Sequence, residues 1–265
     1  MAKQEKLKLT VVLKTKNSQD FLYEVLESIK LAQEIIILDN HSTDDSVEIA
    51  KEYKAKVIFS DNADFSLALG LLKEEISNDW VLILEENEIL PLALFKKIEA
   101  FIKNPPKNCA LATFPIKTFY LNQEIKSFYE KRALKLFKKD FAQFKNNFSL
   151  EIEKRKPKKG EKIKIYNFKP SGKKEENILK FKEHDVAKNF SAIIEKNRNI
   201  LKNEKFKKAS TFFFPFLQFF KYYIFKKGFL EGRKGFIFAS EKFFEAFILN
   251  VMILEKNFKG DKYDI

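Results

Sequence analysis

Apolar runs alternate with amphipathic segments through the first hundred residues, and this alternation constrains the fold more than any other feature of the chain. The apolar, β-branched-rich runs predict strands at Leu7–Leu13, Glu34–Leu38, Val57–Phe59 and Trp80–Leu84. Helices are predicted between these strands, over Ser18–Ile29, from a cap at Ser42 or Thr43 to Tyr53, and over Ser66–Ile76. Strands that alternate with helices form βαβ units, so the pattern predicts an α/β fold with a mostly parallel sheet.

Length and cysteine content narrow the class of protein further. A chain of 265 residues suits one large domain, or one domain with an appendage. The single cysteine, Cys109, permits no internal disulfide and fits a reducing cytoplasm. The first eight residues are charged, no apolar signal-peptide core follows them, and no run of about 18 uncharged apolar residues is present. We therefore expect a cytoplasmic protein without a secretory signal or a spanning helix.

Charge is divided unevenly along the chain. Residues 1–103 hold 13 basic and 19 acidic residues, a net charge of −6, whereas residues 104–265 hold 37 basic and 18 acidic, a net charge of +19. A basic, aromatic half is typical of proteins that contact anionic membranes or nucleic acids, although a generally basic proteome would produce the same excess. No recognition helix, zinc finger or RNA-binding motif is visible, so the sequence disfavours a nucleic acid as partner.

Polar residues follow the predicted strands at the point where each strand ends. They are Thr15–Asn17, Asp39 and the acidic group Glu85–Glu88. Because the carboxyl ends of parallel strands share one edge of a sheet, we expect these groups to form one cleft. An aspartate beside a Ser/Thr loop suits a base or ribose, and carboxylates suit a hard cation held against phosphate. A solvated turn that opens a helix at Pro91 is the alternative interpretation of the acidic group. The chain has no G-x-G-x-x-G after its first strand and no P-loop.

These segments resemble a known family. The strings LTVVLKTKN, EIIILDNHSTDDSVEIAKEYKAKV and DWVLILEENEILP resemble the nucleotide-sugar half of family-two inverting glycosyltransferases of the GT-A fold. Gly228–Phe236 resembles the Gly-rich segment of bacterial lipopolysaccharide-core β-1,4-glucosyltransferases. The resemblance implies a Rossmann-like, mostly parallel sheet flanked by helices, with a helical C-terminal appendage. It also implies transfer of a hexose, such as glucose, from a UDP-sugar to a lipopolysaccharide or lipooligosaccharide core, with inversion.

The resemblance assigns roles to individual residues. Nucleotide-sugar contacts fall on Thr15, Lys16, Asn17, Asp39, Ser42, Asp44 and Glu85. A divalent cation, Mn²⁺ or Mg²⁺, would be held by Glu85 and Asn87, where the family has its D-x-D motif. Catalytic acids are implied at Glu88, which follows that motif, and at Glu151, the expected base.

The chain departs from the family at several of these positions. Glu85-Glu86-Asn87 replaces D-x-D, and neutral Asn87 supplies an oxygen but no charge, so we expect weaker metal binding. The family often has Arg or Lys followed by Asn in the helix before the fourth strand, where this chain has Leu69-Gly70, and Leu150-Glu151 lacks the family's histidine. A catalytically degenerate binding or scaffold protein at the membrane is therefore the alternative function.

The expected division is a GT-A domain over residues 1–200, with a nucleotide-sugar half (1–103) and an acceptor half (104–200), followed by a membrane-associating segment (201–265). Within that segment, the aromatic and lysine-rich stretch Ser210–Lys227 suits an interfacial helix, or alternatively a helix buried against the core. The lysine-rich Lys154–Lys164 indicates a solvated loop or a contact with an anionic acceptor, and His184 a structural histidine. A lipid-linked oligosaccharide acceptor would place the protein peripherally on the inner face of the cytoplasmic membrane.

Overall fold

The computed structural model describes residues 5–59, 72, 74–120, 123–125, 132–144, 152–154, 162–169, 176–181, 194, 197 and 213–260. Its strands are β1 (Leu7–Thr15), β2 (Ala32–Asp39), β3 (Lys56–Phe59), β4 (Trp80–Glu85), β5 (Glu88–Ile89), β6 (Cys109–Tyr120), β7 (Gln123–Ile125), β8 (Arg132–Lys138), β9 (Ala142–Phe144), β10 (Ile152–Lys154), β11 (Lys164–Asn167) and β12 (Ile178–Phe181). Its helices are α1 (Gln19–Ile29), α2 (Ser46–Glu52), α3 (Leu92–Lys103), α4 (Phe214–Phe220) and α5 (Arg233–Gly260), with a π-helical turn (Lys221–Phe225) and a 3₁₀ turn (Gly228–Glu231) between the last two.

The chain divides into two compact units. The first comprises residues 1–117 and 130–181, and the second comprises residues 118–129 and 182–265. The domain division expected at residue 200 falls outside the described residues and stays a prediction. Glu151, His184 and most of the predicted helix Ser66–Ile76 also lie outside them.

The sheet of the first unit runs in the order β3-β2-β1-β4-β8-β6-β12-β5. β1 pairs in parallel with both β2 and β4, and β2 pairs in parallel with β3, which confirms the predicted α/β class and its parallel sheet. The strands beyond β4 include antiparallel neighbours, since β8 pairs antiparallel with both β4 and β6. In the parallel register Thr15 lies opposite Asp39, and Lys14 lies opposite Glu85. The polar residues that end these strands therefore lie at one edge.

The parallel part of the sheet is buried on both faces, as its continuous apolar runs predict. β2 is buried from Ile35 to Asp39, and β4 from Trp80 to Leu84. The helices add one apolar face each: α1 buries Leu22, Val25, Leu26 and Ile29, and α3 buries Leu94, Phe95, Ile98 and Phe101. Each such side chain contributes about 1.5–3 kcal/mol on burial. The loops at the carboxyl edge are therefore held by a well-packed frame.

Two local expectations are wrong. Helix α2 begins at Ser46, with Asp45 at its N-cap, and not after a cap at Ser42 or Thr43. The reason is that Ser42 donates to Asp39 and accepts from the backbone of Asn17, so its hydroxyl is not available for a helix amide. The acidic group also does not form a single solvated turn, because Glu88 opens β5 and is fully buried.

The second unit is organised around α5. The end of β6 pairs with β7, and Tyr120 and Ile125 from these strands form a small apolar cluster with Phe238 of α5. Polar contacts reinforce this packing, since the Tyr120 hydroxyl donates to the Glu241 carboxylate and Lys234 Nζ donates to the Glu124 carbonyl over 3.2 Å. Among the described residues, no helix combines the length and the apolar character needed to cross a bilayer.

The Gly-rich segment forms a tight turn before α5. A Cβ added at Gly235 would lie 1.9 Å from the carbonyl oxygen of Gly228, a distance that no side chain can occupy. Gly232 has φ +60°, in the left-handed region that glycine adopts without steric cost. The backbone therefore passes so close to Gly235 that only glycine fits there.

Candidate functional site

A buried carboxylate organises the loop that follows β2. Asp39 Oδ1 accepts hydrogen bonds from Thr15 Oγ1 at 2.9 Å and from Ser42 Oγ at 2.6 Å, and its Oδ2 accepts from the Ser42 amide at 2.8 Å. Only 1% of Asp39 is exposed to solvent. Both carboxylate oxygens are thus engaged within the protein, so Asp39 sets the shape of the loop.

Asn17 joins the loop after β1 to the loop after β2. Its backbone amide donates to Ser42 Oγ at 2.9 Å, and its Oδ1 accepts from the Thr43 amide at 2.8 Å. Asn17 itself adopts φ +50°, a conformation that asparagine tolerates better than most residues. Because its side chain is bonded to the second loop, the two strand ends behave as one polar surface.

Asp44 accepts hydrogen bonds at the far end of the same loop. Its Oδ2 accepts from the Gln19 amide and its Oδ1 from the Ser46 amide, each at 3.1 Å. Partial burial opposes ionisation, but hydrogen bonds from the Ser46 hydroxyl and from these amides outweigh it and hold the pKa of Asp44 below its ordinary value. The loop therefore contacts the starts of both α1 and α2.

An aromatic pair lies beside this loop. The rings of His41 and Phe59 are nearly parallel, at 16°, with their centroids 5.8 Å apart. Both residues are exposed; Phe59 is the last residue of β3 and His41 lies just after the end of β2, at the same edge as Asp39. Sequence reasoning missed Phe59, although a large apolar residue at the last position of a short strand was a visible signal.

The Glu86 carboxylate faces the loop that follows β1. Its Oε2 accepts from the Lys16 amide at 3.3 Å, and its carboxylate also accepts from the Ser18 hydroxyl. Burial raises the pKa of Glu86 to about 7, and the neighbouring Glu85 adds to this effect. Burial likewise lowers the pKa of Lys14 below its ordinary value, against the attraction of Glu86.

Glu85 and Glu88 are ion-paired with two lysines from other strands. Lys135 Nζ lies 2.8 Å from Glu88 Oε2 and 3.8 Å from Glu85 Oε1. Lys180 Nζ bonds Glu85 Oε2 and lies 3.8 Å from Glu88 Oε1. We refer to Glu85, Glu88, Lys135 and Lys180 as the charge cluster. Its four formal charges cancel.

The members of the charge cluster differ in their access to solvent. The Glu88 side chain is 0% exposed and that of Lys135 is 9% exposed, whereas Lys180 is 26% and Glu85 50% exposed. Burial opposes ionisation of Glu85, but the ammonium groups of Lys180 and Lys135 keep its pKa below its ordinary value. The pair Glu85–Lys180 is thus the outer part of the charge cluster, and the pair Glu88–Lys135 is the inner part.

As arranged, this edge of the sheet does not fit a divalent cation. Within the part of the chain that the structure describes, no three acidic, histidine or cysteine side chains are grouped so that they could hold a metal. Two carboxylates hold ammonium groups, the third faces the Lys16 amide, and Asn87 offers one neutral oxygen. That oxygen, Asn87 Oδ1, is buried without a hydrogen-bond partner. Mg²⁺ takes several of its ligands from water and phosphate but is usually anchored by one or two carboxylates, and here ammonium groups hold those of Glu85 and Glu88.

The structure thus brings together most of the residues predicted for the site. Thr15, Asn17, Asp39 and Ser42 share one hydrogen-bond network, Asp44 of the same loop bonds the Gln19 and Ser46 amides, and the Lys16 amide contacts Glu86. The roles predicted for these residues, and for Glu85, Asn87, Glu88 and Glu151, stay predictions. Sequence reasoning missed Lys135 and Lys180, because each lies on a different strand far from the acidic group.

Comparison with known proteins finds a match to the profile of one protein family. The profile described as glycosyl transferase family 2 matches residues 10–229. An uncharacterised glycosyltransferase of Rickettsia typhi is 30% identical over 147 residues, which are 54% of this chain and 50% of the relative. One from Rickettsia prowazekii is 29% identical over the same length. The chain thus spans about half the length of the curated relatives it matches.

Solved structures of glucosyl-3-phosphoglycerate synthase from Mycobacterium tuberculosis also resemble the chain. A complex with Mn²⁺, UDP and glucosyl-3-phosphoglycerate is 25% identical, covers 43% of this chain and 44% of its own, and has a TM-score of 0.33. A complex with Mn²⁺, UDP-glucose and phosphoglyceric acid is 19% identical over 51% and 58%, with a TM-score of 0.36. With TM-scores this low, the assignment rests on the profile match over residues 10–229. On that match, which spans most of the sequence, the chain belongs to glycosyltransferase family 2.

Proposed function

We propose that this protein transfers a hexose from a UDP-sugar to a membrane-bound oligosaccharide acceptor, with inversion. The observation that carries the proposal is the network of Thr15, Asn17, Asp39 and Ser42, which joins the ends of two parallel strands into one ordered polar edge. Ligands of open α/β sheets bind at such an edge. Membership of the glycosyltransferase family supplies the class of ligand.

The same edge offers groups suited to each part of a nucleotide. The exposed rings of His41 and Phe59 present a flat surface on which a uracil ring can stack, a contact worth about 1–3 kcal/mol per base. The exposed Asn17 side chain and the Ser/Thr loop provide hydrogen-bonding groups for the ribose. The charge cluster lies at the end of β4, next to β1, and its lysines can face the diphosphate.

The chemistry requires a base for the acceptor hydroxyl and compensation for the departing diphosphate. Attack of the acceptor oxygen on the anomeric carbon forms the new bond and breaks the bond to the diphosphate. A carboxylate must take the hydroxyl proton, and Glu151 remains the residue proposed for this step. Glu88 is fully buried and paired with Lys135, so we propose that it positions this lysine and does not itself meet the acceptor.

A lipopolysaccharide or lipooligosaccharide core on the inner leaflet is the acceptor that we propose. Support comes from the second unit, where large apolar side chains of α4, α5 and the turns between them are exposed. Five of the most exposed are Phe213, Leu217, Phe225, Leu230 and Phe236. Exposed basic side chains accompany them at Lys221, Lys226, Lys227 and Arg233. Apolar groups with flanking lysines suit the interface of an anionic membrane.

Transfer and hydrolysis assays with a panel of UDP-hexoses test the reaction. We expect one UDP-hexose to be consumed faster when a lipooligosaccharide acceptor is present, with release of UDP. The variant Phe59→Ala should weaken UDP binding roughly tenfold, equivalent to about 1.4 kcal/mol, since it removes the stacking surface. The matched control is Tyr23→Ala, which removes another exposed aromatic side chain of the first unit. UDP binding without any turnover of the panel would instead support the degenerate scaffold.

Vesicle sedimentation tests the membrane part of the proposal. The protein should sediment with anionic vesicles at low salt and less with neutral vesicles, because each basic residue near an anionic surface contributes about 1 kcal/mol. Replacing Phe213, Phe225 and Leu230 together by serine should release it, whereas Leu92→Ser, at an exposed apolar position in the first unit, should not. The proposal would be contradicted if sedimentation with vesicles changed neither with the charge of the lipid nor with the triple substitution.

A further inference from the structure

The charge cluster is built from four strands, and the sheet register dictates its arrangement. Glu85 ends β4 and Glu88 opens β5. Lys180 of β12 is the direct antiparallel partner of Glu88, so its ammonium group reaches both carboxylates. Lys135 comes from β8, which pairs antiparallel with β4 and bonds Glu88 through this lysine. Both cations are therefore supplied by strand pairing within the first unit.

The two lysines have different roles because Lys135 lies in the interior and Lys180 lies closer to solvent. Lys135 bonds Glu88 in the interior, where removing either partner would leave a buried charge without its closest counter-charge. Lys180 bonds Glu85 at the solvent-exposed side of the charge cluster. Without Lys180 the remaining three charges would sum to −1 beside a site proposed for a diphosphate. Lys180 therefore removes a repulsion that would otherwise oppose the ligand.

A divalent cation and Lys180 compete for the same oxygens. Two charges of like sign a few ångströms apart repel strongly where water is partly excluded, so a metal cannot bind Glu85 while the ammonium stays there. An ammonium group supplies a point charge and three hydrogen-bond donors, which suit phosphate oxygens. Lys180 can thus supply part of what a cation supplies.

We propose that Lys180 occupies the place of the divalent cation, with Lys135 behind it, and that its ammonium group binds the diphosphate of the nucleotide sugar. The diphosphate half of this statement rests on the proposed function, whereas the competition with metal does not. The protein then binds UDP in the presence of chelator. Lys180→Met removes the ammonium group but keeps the length of the side chain, and it frees Glu85 to ligate a metal.

Binding of Mn²⁺ alone, followed by electron paramagnetic resonance on the full chain, tests the competition. We expect Lys180→Met to bind Mn²⁺ at least about tenfold more tightly than wild type, equivalent to about 1.4 kcal/mol. Lys180→Arg, which keeps the charge, should match wild type. The control is Lys97→Met, which breaks the Lys97–Glu176 pair (2.9 Å) outside the charge cluster. Equal Mn²⁺ affinity in wild type and Lys180→Met would overturn the proposal, and Lys180→Gln replaces Lys180→Met should the latter fold poorly.

Calorimetry with UDP in EDTA tests whether Lys180 binds the diphosphate. Wild type and Lys180→Arg should bind UDP in EDTA, and Lys180→Met should lose roughly tenfold in affinity and recover it when Mn²⁺ is added. UDP binding by wild type only with metal present would overturn the assignment of Lys180 and leave the proposed function standing. Absence of UDP binding under every condition, with the Mn²⁺ result as expected, would remove the proposed function and keep the competition.

Discussion

Thr15 Oγ1 donates a 2.9 Å hydrogen bond to Asp39 Oδ1 in the protein interior, across 24 positions of sequence. The bond joins the last residues of two neighbouring parallel strands, which the sheet register places opposite one another. Asp39 then holds Ser42 through its hydroxyl and its amide. A single buried carboxylate thus determines the geometry of the loop that we propose binds the nucleotide.

Replacing Asp39 by alanine should destabilise the fold and weaken UDP binding together. The substitution leaves the Thr15 hydroxyl and the Ser42 amide without their partner, and each unsatisfied buried group costs about 1–3 kcal/mol. Asp39→Asn keeps an oxygen acceptor and should cost less. Urea unfolding and UDP calorimetry measure the two effects. Asp79→Ala, at an exposed aspartate of the first unit outside this loop, is the control, and an Asp39→Ala protein as stable as this control would contradict the assigned role.

Lys135→Met and Glu88→Gln should each destabilise the protein, by at most about 3–5 kcal/mol, because each leaves the other charge buried without its closest partner and with only a second ion pair at 3.8 Å. The double variant should recover much of this loss, since neither charge remains. Breaking the exposed pair Lys103–Glu99 (2.8 Å) should cost no more than about 0.5 kcal/mol. Denaturant titration of the four variants gives the coupling. Additive losses in the double variant would show that the inner pair is not coupled.

Glu86 should make the protein less stable as the pH rises from about 4.5 to about 7. Its pKa is about 7 in the folded chain against an ordinary value of 4.5, so the folded state binds more protons in this range and its stability falls with pH. Burial causes the shift; Glu85 adds to it, and the Lys16 amide, the Ser18 hydroxyl and Lys14 oppose it.

Glu86→Gln removes this titration and keeps an oxygen acceptor for the Lys16 amide. Its melting temperature relative to wild type should therefore be higher at pH 8 than at pH 5. Thermal unfolding at the two pH values measures the difference, with Glu24→Gln at an exposed position of α1 as control. A constant offset between Glu86→Gln and wild type at both pH values would rule out the shifted carboxyl.

Gly235→Ala should loosen the turn before α5 more than Gly232→Ala does. A Cβ at Gly235 would meet the Gly228 carbonyl oxygen at 1.9 Å, so backbone must move, at a cost of roughly 1–3 kcal/mol. Gly232 has open space around it, so a side chain there meets no neighbouring atom; only the backbone conformation, φ +60° and ψ −137°, opposes it, at about 1–3 kcal/mol and without requiring the turn to open. Limited proteolysis and thermal unfolding compare the two variants. Equal resistance to protease would mean that the close approach at Gly235 is absent.

The parallel half of the fold was predictable because its determinants are local. A strand such as β4 is a continuous apolar run that ends at an acid, and α1 repeats its apolar residues at helical spacing, so a short window of sequence contains the information. The convergence of Asp39 with Thr15 follows from the general rule that parallel strands share a carboxyl edge. Boundaries were less predictable, as the start of α2 shows, because Ser42 had two possible hydrogen-bond partners.

The lysines of the charge cluster could not be predicted for the opposite reason. Lys180 meets Glu85 only because β12 pairs antiparallel with β5 in one particular register, and no local pattern specifies that pairing across 95 positions of sequence. Lys135 depends in the same way on the pairing of β8 with β4. The resemblance to the family predicts metal ligands in the acidic group. The positive charges found there belong to Lys135 and Lys180, which lie on strands that the motif does not include.

The separation of Glu85 from Lys180 has a consequence for the order in which the protein is made. Translation releases the carboxylates well before the lysine, and the N-terminal part of a nascent chain begins to fold first. During that interval the acidic edge lacks its outer counter-charge. A nascent chain that has not yet reached β12 therefore presents this edge with an uncompensated carboxylate, and pairing of the finished strand supplies the missing ammonium group. Under the role that we propose for Lys180, the edge can accept a diphosphate only after that strand has paired.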